Sequence, residues 1–167
     1  MALSMYQASV PVFIRILGNL KTILEKGAAY ADAKKLDGSV LPALRLYPDM
    51  LPLAKQVQIA SDSAKGVARL AGQEPPAFED NEKTLPELIA RVQKTIDYLK
   101  TLNAAQIDGS ESKDITLKIG PAELKFTGQN YLLGFALPNF YFHVTTAYNL
   151  LRHNGVEIGK RDYLGPL

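Results

Sequence analysis

Cysteine is absent from the 167 residues, which removes disulfides, thiolate nucleophiles and thiolate metal ligands together. Any metal must then be held by His, Asp, Glu, Asn or Gln. Histidine is scarce as well: His143 and His153 are the only two. Histidine-based zinc sites usually pair imidazoles at close helical spacing, and these two are too far apart on one predicted helix to face the same way. No run of ~20 apolar residues occurs, so no membrane span is expected. The opening MALSMYQASVPVF has no cationic residue ahead of it and is interrupted by Tyr6 and Gln7, unlike an export signal; the expected address is cytoplasmic. Excess charge is missing too. Lys and Arg number 19 against 17 Asp and Glu, a net of +2, with the signs interspersed, so there is no basic stripe to track phosphates and nucleic acid is not an expected partner. No Walker or dinucleotide glycine loop and no GxSxG elbow is present.

What remains is an ordinary globular composition, 47% apolar and 22% charged, of a length that suits one domain over residues 1–167. Val10, Phe13, Leu17, Leu20 and Leu24 form one stripe of a first helix. Ser4 and Gln7 have capping-box spacing, so the helix is expected from Ser4 to about Lys26, kinked at Pro11; a start at Ser9 is the alternative. Residues 28–36 stay helix-compatible, and a loop punctuated by Gly38, Pro42 and Pro48 follows. A second helix is expected from a cap at Asp49 to about Ala71, stopped by Gly72, with the small-residue seam Leu53, Val57, Ala60, Ala64 and Val67. QEPPAFEDNEK reads as an acidic, proline-rich connector.

The third helix has the clearest pattern. Thr84 and Glu87 form a capping box, and Leu85, Leu88, Val92, Ile96, Leu99 and Leu102 recur at spacings of three and four. Residues 113–128 switch to alternation, with Ile115, Leu117 and Ile119 on one arm and Leu124 and Phe126 on the other: a β-hairpin around Gly120 and Pro121, whose apolar face must lie on the helices. A fourth helix is expected from Pro138 to Asn154, stopped by Gly155. The tail is too short and glycine-rich for another long helix.

His143 is the residue with most chemical content, because it shares a mostly apolar helix face with Phe140, Ala147 and Leu150. A buried imidazole needs a partner, and Asn139 lies one turn earlier. The plain alternative is a hydrogen-bonded core histidine. On the second helix, Gln58 and Asp62 offer oxygen atoms but belong to the polar stripe Lys55, Gln58, Asp62, Lys65, Arg69, which reads equally well as solvated; Gln56 is more easily buried. His153 suits the surface near a helix C-terminus. Lys160, Arg161 and Asp162 read as a solvated or interface-packing tail, with an anion contact as the alternative.

The segments SMYQASVPVF, QVQIASDSAKG and FTGQNYLLGFALPNFYFHVTTAYNLLRHNGVEIGKRDYLG resemble a bacterial family of unknown function grouped with the DinB/YfiT-like four-helix proteins, over essentially the whole chain. The resemblance implies a mainly α fold, a DinB-like up-and-down four-helix bundle with a β-hairpin inserted before the last long helix, and a homodimer. It also implies a metal held by three histidines, one on the second helix and a pair on the last. His143 matches the second member of that pair and Asn139 stands in the place of the first. The second helix supplies Gln56, Gln58 or Asp62 but no histidine. Amide oxygens are weak ligands for zinc or nickel, so no cofactor and no tightly held metal is expected. The leading expectation is a bundle with a degenerate site around His143, Asn139, Gln58 and Asp62 that takes a small ligand. The alternative is a divergent divalent-metal hydrolase or thiol transferase using His143.

Overall fold

Pro11 decides where the first helix begins. In the structure, a computed structural model that describes residues 3–166, α1 spans Val10–Ala33. Ser4 and Gln7 do exchange the expected bonds, at 3.2 Å each way. They close a separate turn, and the chain breaks at Ser9 (φ −124°, ψ −84°). Pro11 then falls in the first turn, where its missing N–H and fixed φ cost nothing. The longer kinked helix is thus corrected to a turn followed by a helix. At its other end α1 passes through Gly27, because a Cβ there would sit 3.3 Å from the side chains of Leu85 and Leu151. This glycine permits close helix approach and does not end the helix.

After a single turn, α2 (Val40–Ala43), α3 runs over Leu53–Lys65 and continues as a 3₁₀ segment, Gly66–Ala71, closed by Gly72 at φ +74°. The expected cap at Asp49 is corrected: Pro52, extended at ψ 164°, takes that position, since the residue before a proline is held out of helical conformation. Helix α4 (Leu85–Leu99) has both bonds of the Thr84–Glu87 capping box. A further turn, α5 (Ala104–Ile107), leads into strands β1 (Asp114–Ile119) and β2 (Ala122–Thr127), antiparallel with Ile115 opposite Phe126 and Leu117 opposite Leu124. Ile115 and Leu117 are buried while Ile119 and Leu124 are exposed, so only the base of the hairpin lies on the bundle.

The last helix starts ten residues earlier than its proline suggested. It opens at α6 (Gly128–Asn130), capped by Thr127 Oγ1 accepting from Asn130 N–H. It widens into a π-helical stretch, Tyr131–Ala136, and runs on as α7 (Leu137–His153). The π turn disturbs both the 3.6-residue period and the i to i−4 ladder just ahead of Pro138, so the proline sits inside a long helix. A short α8 (Lys160–Leu164) follows. It packs on α1, where Lys26 meets Asp162 at 2.6 Å and Asn19 donates to the Tyr163 carbonyl at 2.9 Å.

Cross-helix contacts give the directions of the four-helix bundle. Lys21 reaches Gln93 and Gly27 packs on Leu85, so α1 and α4 are antiparallel. Gln56 meets His143 and Ser63 meets Asn139, so α3 and α7 are antiparallel. Phe13 stacks edge-on against Phe140 at 4.9 Å and Gly27 meets Leu151, so α1 and α7 are parallel. The order is up, down, down, up, with the expected hairpin before the last helix. Because α3 and α4 are parallel neighbours, the connector between Gly72 and Thr84 must return along roughly 30 Å of helix, a distance its 11 residues span when extended. The core is the interior of this bundle, where Leu17, Leu20, Val57, Ala60, Ala64, Leu88, Phe140 and Leu150 are fully buried. Among the described residues no helix is long and apolar enough to cross a membrane.

Candidate functional site

Gln56 stands near the start of α3 on the face that meets α7, and its burial makes both ends of its amide matter. Its Nε2 donates to the Leu51 carbonyl at 3.0 Å, and its Oε1 lies 2.7 Å from His143 Nδ1. A backbone carbonyl only accepts, so the amide nitrogen must face Leu51 and the amide oxygen must face the imidazole. An amide oxygen also only accepts. His143 therefore carries its proton on Nδ1, and in the neutral ring the lone pair is left on Nε2. Burial pushes the imidazole below its usual value near 6.5, so the neutral form prevails at pH 7. Nε2 has no protein partner among the described residues and is not one of the side-chain atoms sealed from solvent. The Phe142 ring lies edge to face with the imidazole, 5.2 Å between centroids, and stands 56% exposed.

The other sequence-predicted residues go elsewhere. Asn139 donates through Nδ2 to Ser63 Oγ at 2.8 Å, and that hydroxyl in turn donates to the Ile59 carbonyl; it pins α7 to α3 one turn below His143. Gln58 and Asp62 lie on the side of α3 turned away from α7. Gln58 Nε2 donates to Glu82 at 2.9 Å, and Asp62 pairs with Lys65 at 2.8 Å and Arg91 at 3.0 Å. The structure thus brings His143 together with Gln56, the less obvious candidate, and directs Gln58 and Asp62 into a separate cluster. His153 is exposed in the last turn of α7, as expected.

That second cluster is the underside of the returning connector, residues 73–83. Arg91 of α4, its side chain 2% exposed, binds Asp62 at 3.0 Å, Asp80 at 2.9 Å, Glu82 at 3.0 Å and the Glu79 carbonyl at 2.9 Å. Lys65 donates to the Pro76 carbonyl at 2.8 Å and sits 3.7 Å from the centre of the Phe78 ring. Burial works to raise the Asp80 carboxyl, but Lys55 and Arg91 together hold it below the usual carboxylate range. The polar stripe of α3 therefore meets the connector along its length, from Lys55 on Asp80 to Arg69 near Glu74. Sequence reasoning missed Arg91, although the signal was present: it occupies a position between Leu88 and Val92 on the apolar stripe of α4, opposite an acidic loop.

A three-histidine metal site does not fit this donor set. Gln56 is bonded at both ends, Asn139 is engaged with Ser63, and Gln58 and Asp62 serve the connector. Among the described residues no group of three His, Cys, Asp or Glu side chains is placed to hold a metal ion. A single imidazole lone pair gives weak retention of a transition ion.

Against known proteins, a family model described as "Domain of unknown function (DUF1993)" matches residues 5–164. Among solved structures, the chain is similar to the crystal structure of a DinB family member protein from Shewanella denitrificans at 1.83 Å resolution. The two are 43% identical with a TM-score of 0.86, over 97% of this chain and 92% of that one. Comparison with curated proteins finds no match.

Proposed function

The chain belongs to the DUF1993 family, with a DinB-like fold, and from that premise we propose that it is a ligand-binding bundle working without a tightly held metal. Its site is the neutral imidazole of His143, which accepts a hydrogen bond at Nε2 from a small molecule whose apolar body rests on Phe142. The observation that carries this reading is the relay from the Leu51 carbonyl through Gln56 to Nδ1. The relay fixes one tautomer and leaves Nε2 as an acceptor held by a locked ring. A ligand of this kind presents an O–H or N–H donor and a ring or short aliphatic chain. Metal-dependent hydrolysis or thiol transfer is the weaker reading, because the surrounding carboxamides are committed to other partners. Pairing with a second copy, implied by the family resemblance, belongs to the same proposal. A monomer by sedimentation at micromolar concentration would remove that part alone.

The test is nitrogen-detected NMR of the imidazole at neutral pH, with phenol as the probe. The free protein should show a protonated Nδ1 and a bare Nε2, and phenol should move the Nε2 signal in the parent protein but not in Phe142→Ala. A resting ring protonated at Nε2 would overturn the proposal. So would stoichiometric metal in tag-free protein that disappears in His143→Ala.

A further inference from the structure

One of the four bundle helices turns an uncharged face to solvent. From Phe126 to Leu151 the chain carries no Asp, Glu, Lys or Arg, a run that takes in the π-helical stretch and almost all of α7. The other three carry charge at exposed positions: Arg15 and Glu25 on α1, Asp62 on α3, Lys94 and Asp97 on α4. On α7 the exposed residues Pro138, Phe142, Thr145 and Asn149 follow one another at steps of four, three and four, which makes a single stripe. Phe142 and Leu133, the latter at the head of the same long helix, are both more than half exposed. Tyr148 and Tyr163, edge-on at 6.1 Å, flank the stripe on the side of α8, where Thr145 donates to the Tyr163 hydroxyl at 3.1 Å.

A solvated helix face normally carries charge, and loss of charge together with aromatic side chains marks the centre of an interface between proteins. Covering this stripe strips water from no ion. The same neutrality limits what covers it. A charged partner surface would give up its water to a face with no counter-charge, whereas the stripe meets a second copy of itself without like-charge conflict. The shapes agree as well. About a twofold axis midway along the stripe, antiparallel copies set Phe142 of one against Thr145 of the other, a large side chain opposite a small one. From Leu133 to Asn149 the face is roughly 24 Å long, and one helix diameter plus one interhelix spacing makes it about 20 Å wide. That gives on the order of 500 Å² per copy, or about 1,000 Å² for the pair, the lower bound of a specific interface.

We propose that two copies of the chain pair through this face of α7, antiparallel about a twofold axis between Phe142 and Thr145. The assignment rests on the pairing proposed above and names its surface; it does not depend on a ligand at His143. Because Phe142 lies edge to face with the imidazole, the second copy borders the His143 site.

The experiment is sedimentation of the full chain across micromolar concentrations. The parent should be a dimer whose association is not weakened by added salt, since no ion pair holds it. Thr145→Lys and Asn149→Lys should each weaken association about tenfold or more, because each copy then buries an ammonium without a partner. Both positions are exposed, so these variants should keep the parent's circular dichroism. Ala90→Lys, at an exposed position of α4, should pair as the parent does. Thr145→Lys mixed with Thr145→Glu should pair again, since opposite charges then meet beside the axis. An unchanged dimer in both lysine variants would overturn this surface and leave the pairing standing, and no recovery in the mixture would overturn the twofold arrangement. A monomeric parent would overturn surface and pairing together, and flotation of that monomer with phosphatidylcholine vesicles would give the face to a membrane instead.

Discussion

Replacing Arg91 by methionine tests whether the returning connector is latched by one buried cation. Methionine keeps an unbranched stem of similar reach, so the loss reports on the guanidinium more than on packing. The three carboxylates respond differently. Asp62 and Asp80, with side chains 48% and 35% exposed, regain water when the guanidinium goes, and each contributes ~0–1 kcal/mol as a partly solvated pair. Glu82, 11% exposed, is left charged against Gln58 in a nearly dry interface. Removing one partner of a buried pair costs ~3–5 kcal/mol, and only one of the three pairs is of that kind. A net loss of about 3 kcal/mol is expected. For a chain of this size that lowers Tm by roughly 6–12 °C. Urea unfolding followed by circular dichroism should show the midpoint falling with little change in slope. Adding Glu82→Gln to Arg91→Met should return part of the loss, since the stranded charge is then gone. Cleavage by a glutamate-specific protease at Glu79 and Glu82 should accelerate in the single variant. A loss under about 1 kcal/mol with an unchanged cleavage rate would refute the latch.

The remaining expectations concern the imidazole, two glycines and one cap. Burial lowers the His143 value in the folded chain below 6.5, so just below that pH the unfolded chain binds the proton and the native one does not. Its contribution to stability is therefore complete above about pH 6.5 and is lost as pH falls through the folded value; an NMR titration midpoint above 6.5 would contradict the assignment. A Cβ at Gly128 would run into the backbone carbonyl of Ser110, whereas one at Gly134 would meet nothing within 4 Å. Gly128→Ala should cost about 3 kcal/mol or more and Gly134→Ala less than about 1 kcal/mol in either direction; equal denaturation midpoints would count against the close approach. Thr84→Ala should remove about 1 kcal/mol by deleting the capping hydroxyl, and thermal unfolding indistinguishable from the parent would show that the cap is not holding α4.

Where the chain states its structure locally, it was readable. Thr84 to Leu102 carries cap and stripe together, and residues 114–127 carry alternation around a two-residue turn, so both elements appear as expected. Pro11 and Pro138 misled in opposite directions. The first sits in a helix's opening turn where a kink was expected, and the second sits inside a helix where an opening turn was expected. A proline marks a constraint on the backbone without saying which neighbouring turn absorbs it. The 3.6-residue period likewise fails through Tyr131–Ala136, because a π-helical stretch shifts the face that each residue presents.

By itself, the sequence determined the helical class, the hairpin, the likeness to a four-helix family and the isolation of His143 among possible metal ligands. All of these depend on residue identity or on spacing within one element. Only the tertiary structure decided that Gln56 is the partner of His143, 87 positions away, and that Gln58 and Asp62 turn towards a buried arginine. A hydrogen bond between helices depends on their relative direction and rotation, which the packed core sets as a whole. The parallel placement of α3 and α4 drew the acidic connector back across their surface, and with that a stripe that reads as solvated became the floor of an interface.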